Sequence, residues 1–213
     1  MPRRMPDLAG QFRVQARSAL AIADFGEAAL QRSPRGAPHE RLHYRRLELL
    51  YELAYLRTFV AWEAFLEDTF LRYMCGQTSR VGSATPIQGT AIHRNIAAAH
   101  SAVMGNRGFA LWHDPNKVLT RSKRYFTSCP IETVLSSASV RLTALGAIRH
   151  RIAHAQADAK TKFDNATMSL AGRRYMGSRA GAFLRDVDTT SSPSARWLVT
   201  LATELEALAR QIA

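Results

Sequence analysis

The stretch from His39 to Cys75, some 35 residues, contains neither glycine nor proline. At 1.5 Å rise per residue it predicts a helical rod about 50 Å long. Leu42, Leu49, Leu53, Leu56 and Val60 recur along it at helical steps of seven, four, three and four. Trp62, Phe65, Leu66 and Phe70 widen the apolar face beyond one stripe. A small domain's own core is too short to cover such a rod. A second helix, a partner subunit or both are expected to cover the rest. Gly76 stops the helix, and Trp62 is expected in the core rather than as a base-stacking platform.

The remaining chain reads as further helices around one irregular insert. A first helix is predicted over about residues 9–31, with Phe12, Val14, Leu20, Ile22, Phe25 and Leu30 as its apolar positions. The breaker cluster Ser33-Pro34-Arg35-Gly36-Ala37-Pro38 ends it. From Gln77 to Pro130 glycines and prolines punctuate the pattern. There a helical piece is expected from about Thr90 to Met104, and a short turn near Asn116 to Ser122. A strong helix begins near Pro130, with Glu132 at its positive end, and frays after His154 toward Asp158. Its apolar ladder runs Ile131, Val134, Leu142, Leu145, Ile148 and Ile152. Gly172 to Arg179 reads as loop. After Ser191-Ser192-Pro193-Ser194, a last helix carries Trp197, Leu198, Leu201, Leu205, Leu208 and Ile212 on one face. The expected fold class is all-α: one domain over residues 1–213, a helical bundle with core about 9–76 and 131–213 and an insert about 77–130.

Composition bounds the setting. An apolar fraction of 46% is enough to build a packed core. No apolar run approaches the roughly 18–20 residues that span a bilayer, so no membrane partner is expected. Met1 to Asp7 is charged, with no apolar stretch behind it of the kind a secretory signal carries. The two cysteines, Cys75 and Cys129, cannot form a disulfide scaffold or a four-cysteine zinc site. They suit a reducing cytoplasm, the expected location.

The chain carries 29 Lys+Arg against 17 Asp+Glu, a net charge of +12. Only four of the basic residues are lysines. Arginine forks match phosphate oxygens in pairs, which makes an anionic partner plausible. A GC-rich genome also yields arginine in place of lysine, although it does not produce net charge. From Arg141 to Arg185 nine basic residues stand against two acidic ones. From Asp186 onward four acidic residues stand against two basic ones. The positive field is therefore concentrated in one stretch.

Within it lies Ala147-Ile148-Arg149-His150-Arg151-Ile152-Ala153-His154-Ala155. On a helix His150 and His154 share a face, and the long side chain of Arg149 can bend over it. Histidine exchanges a proton near pH 7, whereas arginine supplies a fixed charge. Together they offer acid/base chemistry beside a stabilised phosphate. Two other readings stay open. One is a solvated Arg/His face where cations meet the negative end of a helix. The other is metal binding, since i, i+4 histidines form zinc pairs. Against a metal, the Glu of H-E-x-x-H is absent, no acidic cluster completes a site, and the flanking arginines repel cations. No cofactor is expected.

Arg149-x4-His154, with His150 directly after the arginine and the run Ile-Ala-His, resembles the R-x4–6-H signature of the HEPN superfamily. Those are small all-helical proteins, many of them metal-independent ribonucleases of toxin–antitoxin, phage-defence (antiviral) and RNA-processing systems. The run Phe59-Val60-Ala61-Trp62-Glu63-Ala64-Phe65-Leu66-Glu67 and the later Ala182-Phe183-Leu184-Arg185 are similar to the branch labelled RiboL-PSP-HEPN. The resemblance spans about Arg41–Cys75 and Ile131–Ala213. One departure is Gln156, where toxins paired with minimal nucleotidyltransferases commonly carry tyrosine two residues after the histidine. Silencing by modification of that tyrosine is not implied.

The resemblance implies an endoribonuclease in which the 2′-hydroxyl attacks the adjacent phosphorus and leaves a 2′,3′-cyclic phosphate. His154 would do the acid/base work, Arg149 would stabilise the developing charge, and His150 would orient His154. It also implies a homodimer with two motifs lining one cleft, and an antitoxin or defence-system partner. Arg151, Lys160, Lys162, Arg173, Arg174 and Arg179 would extend an RNA-binding rim. Glu63 is expected either to pair with Arg149 or His154 or to be a plain surface carboxylate. The alternatives are a non-catalytic RNA- or nucleotide-binding helical module, or a structural partner in a defence complex.

Overall fold

The computed structural model describes residues 3–32, 44–89, 92–105 and 110–213. The breaker cluster 33–38, the expected helix start at His39, Leu42, the start of the resemblance at Arg41 and the expected helix start at Thr90 lie outside them. The fold class is all-α, a helical bundle. Among the described residues the helices are α1 (Leu8–Arg32), α2 (Tyr44–Met74), α3 (Ile96–Met104), α4 (Pro115–Tyr125), α5 (Pro130–Ala153), α6 (Ala157–Ala171), α7 (Ala180–Arg185) and α8 (Trp197–Ile212). Two short antiparallel pairs accompany them: β1 (Thr85–Pro86) with β2 (Phe126–Ser128), and β3 (Val187–Asp188) with β4 (Ala195–Arg196).

The chain divides into two compact units. One comprises Met1–Arg13, Ala61–Thr143 and Leu205–Ala213; the other comprises Val14–Val60 and Ala144–Glu204.

The first unit is built on the aromatic second half of α2. Phe12 meets Trp62 edge-on at 5.9 Å, and Trp62 stacks on Phe65 at 5.5 Å. Phe70 packs against Trp112 at 5.4 Å and Phe126 at 5.3 Å. Residues of the 77–130 insert therefore belong to this unit's core, with Trp112, Val118 and Phe126 buried. Asn95 caps α3, its Oδ1 accepting from the Ala98 amide at 2.8 Å. The extended backbone at Asn95 explains why this helix begins later than its apolar pattern suggests. Asp114 caps α4 and Pro115 opens it, so the expected turn becomes three helical turns reaching Tyr125.

The second unit is built on the first half of α2, with Leu47, Tyr51, Ala54, Tyr55 and Phe59 buried. The Tyr55 hydroxyl donates to the Leu145 carbonyl of α5 at 2.9 Å. Ala16, Ala19 and Ala23 form the buried face of α1, so it is alanine rather than Val14 or Phe25 that faces inward. Val14 and Phe25 are exposed. A Cβ on Gly26 would stand 2.6 Å from Leu50, so α1 and α2 approach closely there. Phe183 of α7 stacks on Trp197 of α8 at 5.2 Å and meets Phe163 of α6 edge-on at 6.2 Å.

Two expectations need correction. The Leu49, Leu53, Val60 stripe of α2 is solvent-exposed, because the aromatic and alanine positions between those leucines form the buried face. The helix carrying the histidines does not fray toward Asp158. It ends at Ala153, and a separate helix, α6, follows. By length and composition α5 is long and apolar enough to cross a membrane. Scattered alanines and leucines make it so without any unbroken apolar run, and Leu135, Leu142, Leu145 and Ile148 of α5 are core residues.

Candidate functional site

The last turn of α5 carries Arg149, His150 and Arg151, with His154 one residue beyond its end. The His154 amide still donates to the His150 carbonyl at 2.9 Å, so the helical turn persists to that residue. The two imidazoles consequently stay on one face, ring centroids 4.6 Å apart and planes inclined at 49°. His150 and Arg149 are half-buried, whereas His154 is exposed.

The surroundings favour an uncharged His150. Its pKa lies below the usual imidazole value, first because burial penalises the cation, then through electrostatic repulsion from the His154 and Lys162 side chains. Asp158 opposes this, its Oδ2 standing 3.9 Å from His150 Nε2, and Arg149 adds a smaller repulsion. Lys162, one turn along α6, holds the same carboxylate at 2.7 Å. α6 thus presents an acid–base pair to the histidines.

Arg151 fixes the end of α5. Its Nε donates to the Ser178 carbonyl at 3.0 Å and its Nη1 to the His154 carbonyl at 3.1 Å. Ser178 is buried with φ of 50°, a left-handed conformation uncommon for a residue with a side chain. Its hydroxyl donates to Asp164 Oδ1 of α6 at 2.7 Å, which anchors the turn.

Glu63 lies in the first unit, 4.0 Å from His113 Nδ1. Lys160 is exposed on α6. Arg173 pairs with Asp186, and Arg179 with the buried Glu48 of α2. Arg174 is exposed and makes no ion pair with a described residue. Among the described residues no group of three His, Cys, Asp or Glu is arranged to hold a metal ion.

Two features escape the sequence reading. The Ser178 turn is one; Gly177 followed by a small polar residue is its faint signal. The other is a cleft of about 470 Å³ whose walls include Arg173, Arg174, Arg185 and Arg196. Arg196 stands immediately before the last helix, far in sequence from its companions, so only the fold collects them.

Fold and site together define an all-α protein with a paired-histidine, arginine-flanked helix end. Compared with known proteins, the chain matches no family model, no curated protein and no solved structure.

Proposed function

We propose that this protein is a metal-independent endoribonuclease of the HEPN type. The observation that carries the reading is the imidazole pair, 4.6 Å apart, directly after Arg149. Proton transfer and charge stabilisation are the two needs of RNA cleavage by its own 2′-hydroxyl. The 2′-oxygen forms a bond to phosphorus as it gives up its proton to an imidazole. The bond to the 5′-oxygen breaks, and that oxygen takes a proton. His154, exposed to substrate, does the acid/base work. Arg149 holds the phosphorane oxygens. His150, kept neutral by its surroundings, accepts a hydrogen bond and orients its neighbour. The products are a 2′,3′-cyclic phosphate and a 5′-hydroxyl. No cofactor enters these steps, and the proposed setting is a cytoplasmic toxin–antitoxin or phage-defence system, with an antitoxin or defence-system protein as partner.

Lys160 and Arg174 are the exposed cations of the predicted rim with no carboxylate partner among the described residues, because Arg179, Arg173 and Lys162 are engaged by carboxylates. The seam of exposed Leu49, Leu53 and Val60 with half-buried Leu56 has the four-three-four steps of a coiled-coil interface. A second copy of the chain is its proposed occupant, in a two-fold dimer.

The test is to incubate the purified protein with RNA in EDTA and to identify the fragment ends. The proposal expects cyclic phosphate and 5′-hydroxyl ends, and an all-DNA strand left intact. Cleavage that EDTA abolishes would transfer the chemistry to a metal. RNA binding without turnover, weakening steeply with salt, would leave a binding module.

A further inference from the structure

The cleft holding Arg173, Arg174, Arg185 and Arg196 is not part of the His150–His154 surface, and nothing in the ribonuclease chemistry requires it. Its charges do not cancel. Asp186 is engaged by Arg173 and by the Tyr175 hydroxyl, and Glu48 by Arg179. A single carboxylate, Glu27, serves both Arg185 at 2.9 Å and Arg196 at 3.1 Å, and also accepts from the Tyr51 hydroxyl at 2.9 Å. Arg174 has no carboxylate among the described residues. The charged side chains that line the cleft are four guanidiniums, Arg173, Arg174, Arg185 and Arg196, and two carboxylates, Glu48 and Asp186, an excess of two positive charges in one concavity.

Arg173 and Arg196 are held in place. Arg196 Nη1 donates to the Arg185 carbonyl at 2.6 Å, fixing one fork against the other's backbone. The Tyr175 ring meets Phe183 edge-on at 5.4 Å, and the Arg173 guanidinium lies 5.2 Å above the ring's centroid. The cleft is also larger than an inorganic anion needs. About 470 Å³ falls in the range of small-molecule sites, roughly 300–1,000 Å³. Its wall includes Met176, which is 90% exposed, and Val187, which is 46% exposed. Large apolar side chains left in water beside a basic cleft suit a ligand with both an organic face and an anionic end.

We propose that this cleft binds a phosphomonoester of mononucleotide size, its phosphate between Arg174, Arg185 and Arg196 and its organic part against Tyr175, Met176 and Val187. A phosphomonoester carries roughly −1.5 to −2 charges at pH 7, which matches the uncompensated charge. Forked guanidiniums match its oxygens in pairs. The site does not depend on the ribonuclease reading, since its readout is binding alone.

The experiment is calorimetric titration of the intact protein with 5′-AMP, adenosine and inorganic phosphate. AMP is expected to bind at least tenfold more tightly than either fragment. Arg174→Ala, which removes an exposed side chain without an ion pair, is expected to weaken AMP at least fivefold. Arg196→Ala is expected to weaken it at least tenfold, and Arg13→Ala on α1 to leave it unchanged. No binding of AMP, equal binding of adenosine, or wild-type affinity in Arg174→Ala would overturn the proposal. Inorganic phosphate binding as tightly as AMP would reduce the cleft to an ion site and overturn it too. An oligoribonucleotide lacking terminal phosphate that displaces AMP at lower concentration would make the cleft a stretch of RNA path, also against the proposal.

Discussion

Arg151 holds Ser178: its Nε donates to the Ser178 carbonyl at 3.0 Å, while its Nη1 donates to the His154 carbonyl at 3.1 Å. One guanidinium thereby joins the residue after α5 to a turn held from α6 by Asp164. A sequence reading that assigns Arg151 to the RNA rim misses this. Two of its donors face backbone carbonyls, so its first effect is on where His154 stands.

Arg151→Ala frees the His154 backbone while leaving both imidazoles present. RNA cleavage is expected to fall roughly tenfold or more in kcat, because small displacements of a catalytic group are costly. KM is expected to change less than threefold. Arg151→Lys, able to make one of the two bonds, recovers part of the rate. Steady-state kinetics on a short RNA separates the two: a rise in KM at constant kcat would mark Arg151 as an RNA contact instead.

The turn preceding α7 is clamped to α2. The Gly181 amide donates to Glu52 Oε1 at 2.9 Å, and Arg179 pairs with Glu48. A Cβ at Gly181 would stand 2.4 Å from the Glu48 carbonyl oxygen, where backbone must shift to admit it. Gly181→Ala is expected to cost about 1–3 kcal/mol, read as a lower urea midpoint. Arg179→Ala should also lower the midpoint, since it leaves the buried Glu48 with only the longer, 4.0 Å contact to Arg45. An unchanged midpoint in both variants would contradict the clamp.

His150 makes acid destabilising. Its folded-state pKa lies below the 6.5 of a free imidazole, from burial first and then electrostatic repulsion from the His154 and Lys162 side chains, with Asp158 opposing. The unfolded chain therefore takes up the proton more readily than the folded one. The stability due to neutral His150 is complete above the unfolded value and is lost as pH falls through it toward the folded value. Urea midpoints measured from about pH 7.5 down to about pH 5 should fall less steeply in His150→Gln than in wild type. Identical slopes would show that the shift is absent.

The seam on α2 predicts assembly. Leu49, Leu53 and Val60 are 60%, 47% and 56% exposed, so replacing one need not disturb the core. Sedimentation should give a dimer for wild type and a monomer of unchanged helicity for Leu53→Asp. A wild-type monomer at all concentrations tested would remove the second copy from the proposal.

What the sequence makes legible follows from what is local. The imidazole pair depends only on i, i+4 spacing, and the helical turn that runs from the end of α5 to His154 does carry it. Trp62 and Phe70 are large enough to announce their burial wherever the helix points. The face of α1 is less visible, because Ala16, Ala19 and Ala23 carry no size signal while Val14 and Phe25 do. α2 misleads in the same way, its leucines tracing the exposed seam. α6 buries Ala159, Phe163, Ala166, Thr167 and Leu170, a face that two large apolar residues are too few to reveal. The partners Glu27 and Arg196 meet through tertiary folding alone. Arg173 and Arg179 read as free cations in the sequence because the carboxylates they pair with, Asp186 and Glu48, are distant in it.

The central claim is that Arg149 and His154 carry RNA cleavage. Its most direct measurement is single-turnover cleavage of a labelled RNA, in EDTA, by wild type, Arg149→Ala and His154→Ala, each verified as folded by circular dichroism. Wild type should cut, with losses of about 10²–10⁴-fold in His154→Ala and about 10²–10³-fold in Arg149→Ala. Cleavage by both variants at the wild-type rate would contradict the account.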